Sequence, residues 1–219
     1  MKKIILLVFF LMSLSGFTQE TMSEGIITTK VTMSSEDANV NASFAVLGDL
    51  TSTTSFKNDK SRTEMNSPMT GNNTTIIDND KKEMLVLADN PMMGKKFIKK
   101  EIENESNEED PEIVVTETGD SKTILGYDCK GYKVSITKNG TETKMTMYVT
   151  DKIKAPNQNT ATLGNKINGF PLLAILDVNQ GGMPFTTTME VTEIKNEKVD
   201  DALFDMDIPE GYTEMVMPK

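Results

Sequence analysis

Tyr132-Lys133-Val134-Ser135-Ile136-Thr137-Lys138-Asn139-Gly140-Thr141-Glu142-Thr143-Lys144-Met145-Thr146-Met147-Tyr148-Val149-Thr150 decides how this chain is built. Tyr132, Val134 and Ile136 alternate with Lys133 and Ser135. Met145, Met147 and Val149 alternate with Lys144, Thr146 and Tyr148. A period of two puts the apolar set on one face of a strand and the polar set on the other. Asn139-Gly140 between the two runs is a hairpin signal, because both residue types tolerate positive φ. The stretch therefore reads as two antiparallel strands with one dry and one wet face.

The same alternation recurs on both sides of it. Ile27, Val31 and Met33 lean to one face of a segment that also carries Thr28, Lys30 and Thr32. Phe185, Met189 and Val191 alternate with Thr186, Thr188 and Glu190. Turn signals at Asn58-Asp59-Lys60, Asp78-Asn79-Asp80 and Gln180-Gly181-Gly182 divide the remaining runs. The pattern predicts a meander of roughly eight to ten strands. Helical signals are few. Ser35-Glu36-Asp37 can cap a helix from Ala38 to Leu47 that Gly48 ends, and Asp200 can cap a turn over Asp201–Phe204. Pro91 to Lys96 suggests one turn of helix. Gly164, Gly169 and Pro171 make Ala161 to Leu173 a loop that feeds a strand.

Composition narrows the chemistry. The chain has 219 residues, no histidine, no tryptophan, one cysteine, 16 methionines and a formal charge of −10. Catalysis by histidine and zinc held by imidazole are both excluded. A lone cysteine forms no internal disulfide and no cysteine-rich metal cage. The acidic balance, with Arg62 as the sole arginine, argues against nucleic acid as a partner.

The first residues have the layout of a secretory signal peptide. Lys2-Lys3 precede the apolar run Ile4 to Met12, and small or polar residues follow at Ser13, Ser15, Gly16 and Thr18. Cleavage near Thr18 or Gln19 divides the chain into a signal peptide, 1–19, and one domain, 20–219. No later stretch is long and apolar enough to span a bilayer, so the expectation is a periplasmic or secreted protein that does not cross the membrane once the signal is removed. In an oxidising compartment a lone thiol is buried or paired between molecules, and Cys129, inside a probable strand over Gly126 to Tyr132, reads as buried.

Candidate functional features are sparse. Glu101 to Glu112 is too acidic to join a core and reads as a solvated loop, with a charged flap or a docking surface for a cationic partner as the alternative. Met145-x-Met147, Met215-x-Met217 and Met92-Met93 could offer thioethers to Cu(I). Their place on an apolar strand face instead makes Met145 and Met147 a pliable lining or ordinary core. Asp200 and Asp201 read as helix-capping residues, and Asp205, Asp207 and Glu210 flank Phe204, Met206 and Ile208 with the spacing of a solvated face. No phosphate-binding glycine loop or nucleophile elbow occurs. The reading is of no enzyme, with no cofactor and no metal.

Four motifs in order carry a family resemblance. Ile124-Leu125-Gly126-Tyr127-Asp128-Cys129-Lys130-Gly131-Tyr132, Thr141 to Asp151, Gly169-Phe170-Pro171-Leu172, and Asp200–Phe204 with Ile208-Pro209-Glu210-Gly211-Tyr212 resemble segments of the exported bacterial domain-of-unknown-function family 4412. The resemblance implies an α+β, mainly antiparallel β fold similar to the LolA/LolB lipoprotein carriers. That fold is a strongly curved open-barrel sheet with a few short helices on its concave side. Members of the wider group bind acyl chains or hydrophobic peptide-like ligands in the concavity.

A curved sheet that its helices under-cover would keep a cavity, and Val31, Met33, Met145, Met147, Phe185, Met189 and Val191 are its expected lining. The function expected is a non-enzymatic periplasmic or secreted binding protein for a lipid, acyl chain or lipoprotein-like hydrophobic ligand. The alternative is a structural or protein-interaction module of the cell envelope with no small-molecule ligand.

Overall fold

A computed structural model describes residues 20–48, 50–67, 71–102, 111–138, 141–156, 163, 166–180 and 183–215. The expected signal peptide lies outside the described residues, as do 103–110 of the acidic stretch, Asn139-Gly140, Gly181-Gly182 and Met217. The elements in chain order are β1 (Glu24–Ser34), α1 (Ala38–Leu47), β2 (Leu50–Lys57), β3 (Lys60–Ser67), β4 (Gly71–Asp78), β5 (Glu83–Asn90) and β6 (Gly94–Glu101). They continue with β7 (Glu112–Ile124), β8 (Tyr127–Lys138), β9 (Thr141–Thr150), β10 (Phe170–Gln180) and β11 (Met183–Lys195). A 3-10 turn (Asp201–Phe204) and β12 (Thr213–Glu214) complete the elements of the described residues.

The twelve strands of the described residues form one sheet in the order β12-β6-β5-β4-β3-β2-β1-β11-β10-β9-β8-β7. Every pairing is antiparallel except that of β12 with β6. Two meanders, β1 to β6 and β7 to β11, meet where β1 pairs β11. The order ends at β12 and β7, which do not pair with each other among the described residues, so the sheet is not a closed barrel.

Twelve strands exceed the eight to ten expected. β6 explains part of the difference. Phe97 and Ile98 are consecutive, so the strand presents apolar side chains to both faces and shows no alternation. The helical turn expected over Pro91 to Lys96 is a tight turn at Pro91–Met93, with Asn90 Oδ1 accepting from the amides of Met92 (2.8 Å) and Met93 (3.1 Å). β6 starts at Gly94 immediately after it.

The topology forces the sheet to curve. Nine strands separate β6 from β7, so a flat sheet would hold them about 48 Å apart at ~4.8 Å per strand. The connection from Glu101 to Glu112 reaches at most about 40 Å at ~3.6 Å per residue. The inner face accordingly brings β4 and β10 to one cleft, although four strands lie between them.

Three packed clusters hold this shape. The first closes one end of the sheet, where β1, β8 and β10 begin and β2, β9 and β11 finish. Ile27, Phe56, Cys129, Phe170, Leu172 and Val191 meet Met22 and Ile153 there. The residues before β1 run beside those after β9, with Met22 N donating to Lys152 O (2.7 Å) and Lys154 N to Met22 O (2.9 Å). Gly169 is required at the entry to β10: its φ is 126°, and a Cβ would stand 2.2 Å from Thr150 O. Cys129 is 1% exposed, and burial pushes its thiol up to about 11. The second cluster lies on the inner face of β8, β9 and β10, where Val134, Met147 and Ala174 pack with Leu163 and Ile167 from the segment that precedes β10.

The third cluster lies on the outer face. Ile76, Leu85 and Leu87 are covered by Met206, with Phe97 and Tyr212 beside it. Ser61 and Thr63 line the inner cleft, so Arg62 between them points outward. Its guanidinium donates to Leu203 O (3.4 Å) and to Glu64 (2.7 Å). The chain after β11 is thus a strap across the convex side. Val199 N donates to Glu24 Oε1 (2.8 Å), Lys57 Nζ stands 2.8 Å from Asp201 Oδ1, and Asp200 caps the 3-10 turn by accepting from Ala202 N (3.0 Å). Lys57 holds the Asp201 carboxyl below its ordinary range.

Two of the helical elements, α1 and the 3-10 turn, do not lie on the concave side as expected. The 3-10 turn lies on the convex side, opposite the cleft. α1 is capped by Asp37, as its sequence indicates, with Oδ1 accepting from Asn39 N (2.7 Å). It stays at the rim, largely exposed, and touches the sheet through Phe44 against Phe185 (ring centroids 5.6 Å apart). Its residues carry no charge, and only Val40 and Phe44 among those described are half-buried, too narrow an apolar stripe to plug a concavity.

Leu125-Gly126 joins β7 to β8 as a two-residue loop, since Ile124 pairs Tyr127. Both loop residues have positive φ, 50° and 84°, the geometry of a type I′ turn. A leucine is unfavourable there. Leu125→Asn is expected to raise stability by about 0.5–1 kcal/mol in denaturant titration, and a loss would show that the leucine side chain packs productively. Phe204→Ala, which empties a buried site under the strap, is expected to cost about 3 kcal/mol in the same measurement. Native protein is expected to react with a thiol reagent far more slowly at Cys129 than denatured protein does, and comparable rates would contradict its burial.

Candidate functional site

The cleft on the inner face has two chemically different walls. β1 to β4 supply hydroxyls. In register, Thr54 opposes Thr63 and Thr63 opposes Thr75, so three threonines lie side by side across three strands. Ser52 opposes Thr29 beside this row, and Ser61 lies next to it on β3. The hydroxyls of Thr54 and Thr63 share a hydrogen bond of 2.9 Å. Those of Ser52, Ser61 and Thr75 have no side-chain hydrogen bond among the described residues.

The facing wall is apolar. Val31 opposes Met189, and Met189 opposes Ala174, a row that crosses from β1 through β11 to β10. Phe170, Pro171 and Pro156 complete it, and Ile77 contributes from β4. The cleft volume is about 140 Å³, close to the ~150 Å³ cavity that admits a benzene molecule. It is smaller than the ~300–1,000 Å³ of ordinary small-molecule sites. No charged side chain among the described residues lines it. Lys30 and Glu190, which oppose each other across the same two strands, belong to the other face.

The seven residues expected to line a cavity share the inner face but separate in role. Val31 and Met189 line the cleft. Met147 is 0% exposed and belongs to the second cluster, with Met145 packed against it. Val191 is sealed into the end cluster. Phe185 stands at the rim beneath Phe44, beside a shallow depression bounded by Ser34, Glu36 and Asp177. Met33 lies toward the same rim, opposite Thr187. Sequence reasoning missed the hydroxyl wall. Alternating threonine and serine in β2 to β4 reads as a wet face, and only the curvature turns that face inward.

The other candidate groups are otherwise engaged or scattered. Asp78 is buried at the β4–β5 turn, accepts from Lys81 N (3.0 Å) and lies 3.7 Å from Lys60 Nζ. Asp200 and Asp201 serve the strap, and Asp205 accepts from Asp207 N (3.0 Å). No group of three or more carboxylates or thiols suited to a metal ion occurs among the described residues. No helix of the described residues is long and apolar enough to cross a membrane. Met92 and Met93 are exposed at their turn, remote in sequence from Met145 and Met147.

No curated protein matches this chain. Among solved structures, one described as "Structure of PNGF-II in C2 space group" is similar, with a TM-score of 0.46 and 18% identity over 87% of this chain. The similar part amounts to 31% of that protein, so this chain spans about a third of its length. The model of the family "Domain of unknown function (DUF4412)" matches residues 24–212, from the start of β1 to Tyr212 of the strap, and the chain belongs to that family.

Proposed function

We propose that this chain is a non-enzymatic binding protein of the periplasm or the extracellular space. It holds part of a hydrophobic ligand, such as a lipid, an acyl chain or a lipoprotein-like group, against the concave face of its sheet. The observation that carries the reading is the inner cleft, where Val31, Met189, Ala174 and Phe170 form an apolar wall that neither α1 nor the strap covers. An apolar concavity with a few polar groups is the ordinary form of a ligand site. The unclosed, strongly curved antiparallel sheet is compatible with a LolA/LolB-like carrier. Lys2-Lys3 followed by the apolar run Ile4 to Met12 supports export.

A second reading is favoured by a specific observation. Leu163 and Ile167 fill the inner face over β8 to β10 with the chain's own side chains, as a structural module of the envelope without a ligand would do. Native mass spectrometry of protein purified from its own host separates the two. The binding reading predicts a co-purifying small molecule on the wild-type protein. It also predicts its loss from an Ala174→Leu variant, checked to keep its fold, in which the added atoms occupy the cleft. Wild-type protein without any adduct would contradict the binding reading and favour the module.

A further inference from the structure

Resting on that binding reading, we propose that the cleft selects an uncharged, carbonyl-bearing chain, an ester or amide rather than a free carboxylate. Among the described residues, the lining contains no lysine, arginine or carboxylate. An anion placed there would lose its hydration with no ionic partner to replace it. The chain's formal charge of −10 adds a field that repels anions. A cation would be drawn toward the protein by that field but finds no carboxylate in the cleft. Charge of either sign is therefore disfavoured.

A plain hydrocarbon fits poorly for the opposite reason. It would cover the hydroxyls of Ser52, Ser61 and Thr75 and offer them no partner. A carbonyl oxygen accepts hydrogen bonds and brings no charge. The Thr54–Thr63 pair, 2.9 Å apart, adds a donor: one hydroxyl donates to the other, and the accepting hydroxyl keeps its own proton to give. The carbonyl thus lies toward Thr63 and Thr75, with the methylenes beside it against Met189 and Ala174. The volume of about 140 Å³ accommodates the carbonyl and a few carbons; the remainder of a longer chain runs out of the open side.

The test compares two isomers that differ in charge at neutral pH, methyl pentanoate and hexanoic acid. Each is titrated into full-length protein labelled with ¹³C at the methionine methyl groups. The Met189 signal, assigned from a Met189→Leu variant, reports occupation of the cleft. The ester is expected to bind at least about tenfold more tightly than the acid at pH 7. The acid is expected to gain affinity as the pH falls toward the carboxylate range. In Thr63→Val, which keeps the side-chain shape, the ester is expected to weaken several-fold while benzene binds unchanged. If the acid shifts Met189 at equal or lower concentration than the ester at pH 7, the charge selection is overturned and the binding reading survives. If neither isomer nor benzene shifts Met189, both fall. An unchanged ester affinity in Thr63→Val would overturn the hydroxyl contact.

Discussion

The pairing of β1 with β11 is the constraint on which the rest of the structure depends. It joins residues far apart in sequence, Ile26 with Lys195 and Val31 with Met189. Without it the chain would be two meanders, each with an unpaired edge. The entropy of closing so long a loop grows only slowly with its length, and an eleven-residue strand on one side and a thirteen-residue strand on the other offer enough hydrogen bonds and side-chain pairs to offset it. The seam also makes the cleft. Hydroxyl-bearing strands lie on one side of it and the apolar strands β10 and β11 on the other, so the two walls exist as a pair only when the seam is formed.

Curvature is the second determinant, and it follows from connection length. The short link between β6 and β7 cannot cross a flat sheet, which fixes one face as concave. The convex face then needs its own cover over Ile76, Leu85 and Leu87. The C-terminal strap supplies it, tied down by Glu24, Lys57 and Arg62. This gives Arg62 and the segment Asp200–Tyr212 a structural role. It also gives several of the acidic residues there a structural part: Asp200 caps a turn, Asp201 meets Lys57, and Asp205 holds the next turn.

Much of this was legible in the sequence where one face is wet and the other dry. Alternation at Tyr132–Ile136, Met145–Val149 and Phe185–Val191 marks β8, β9 and β11, and Asp37 and Asp200 mark the starts of α1 and the 3-10 turn. Legibility fails where apolar side chains face both ways, as at Phe97-Ile98 in β6. It fails also where a turn uses an unexpected residue, as at Leu125, which hides the hairpin between β7 and β8 inside an apparently continuous segment. The candidate site was half legible. Val31 and Met189 follow from periodicity, whereas the facing threonines and serines carry no sign of their inward orientation. That orientation comes from the curvature of the whole sheet.

The most direct test of this account is hydrogen exchange resolved to individual strands under native conditions. The seam predicts that amides of β1 and β11 rank among the slowest to exchange. It also predicts that the two meanders lose protection together, as one cooperative unit. Early exchange of β1 and β11, with β2 to β5 and β8 to β9 protected at separate free energies, would show two independent meanders and contradict the single sheet on which the cleft depends.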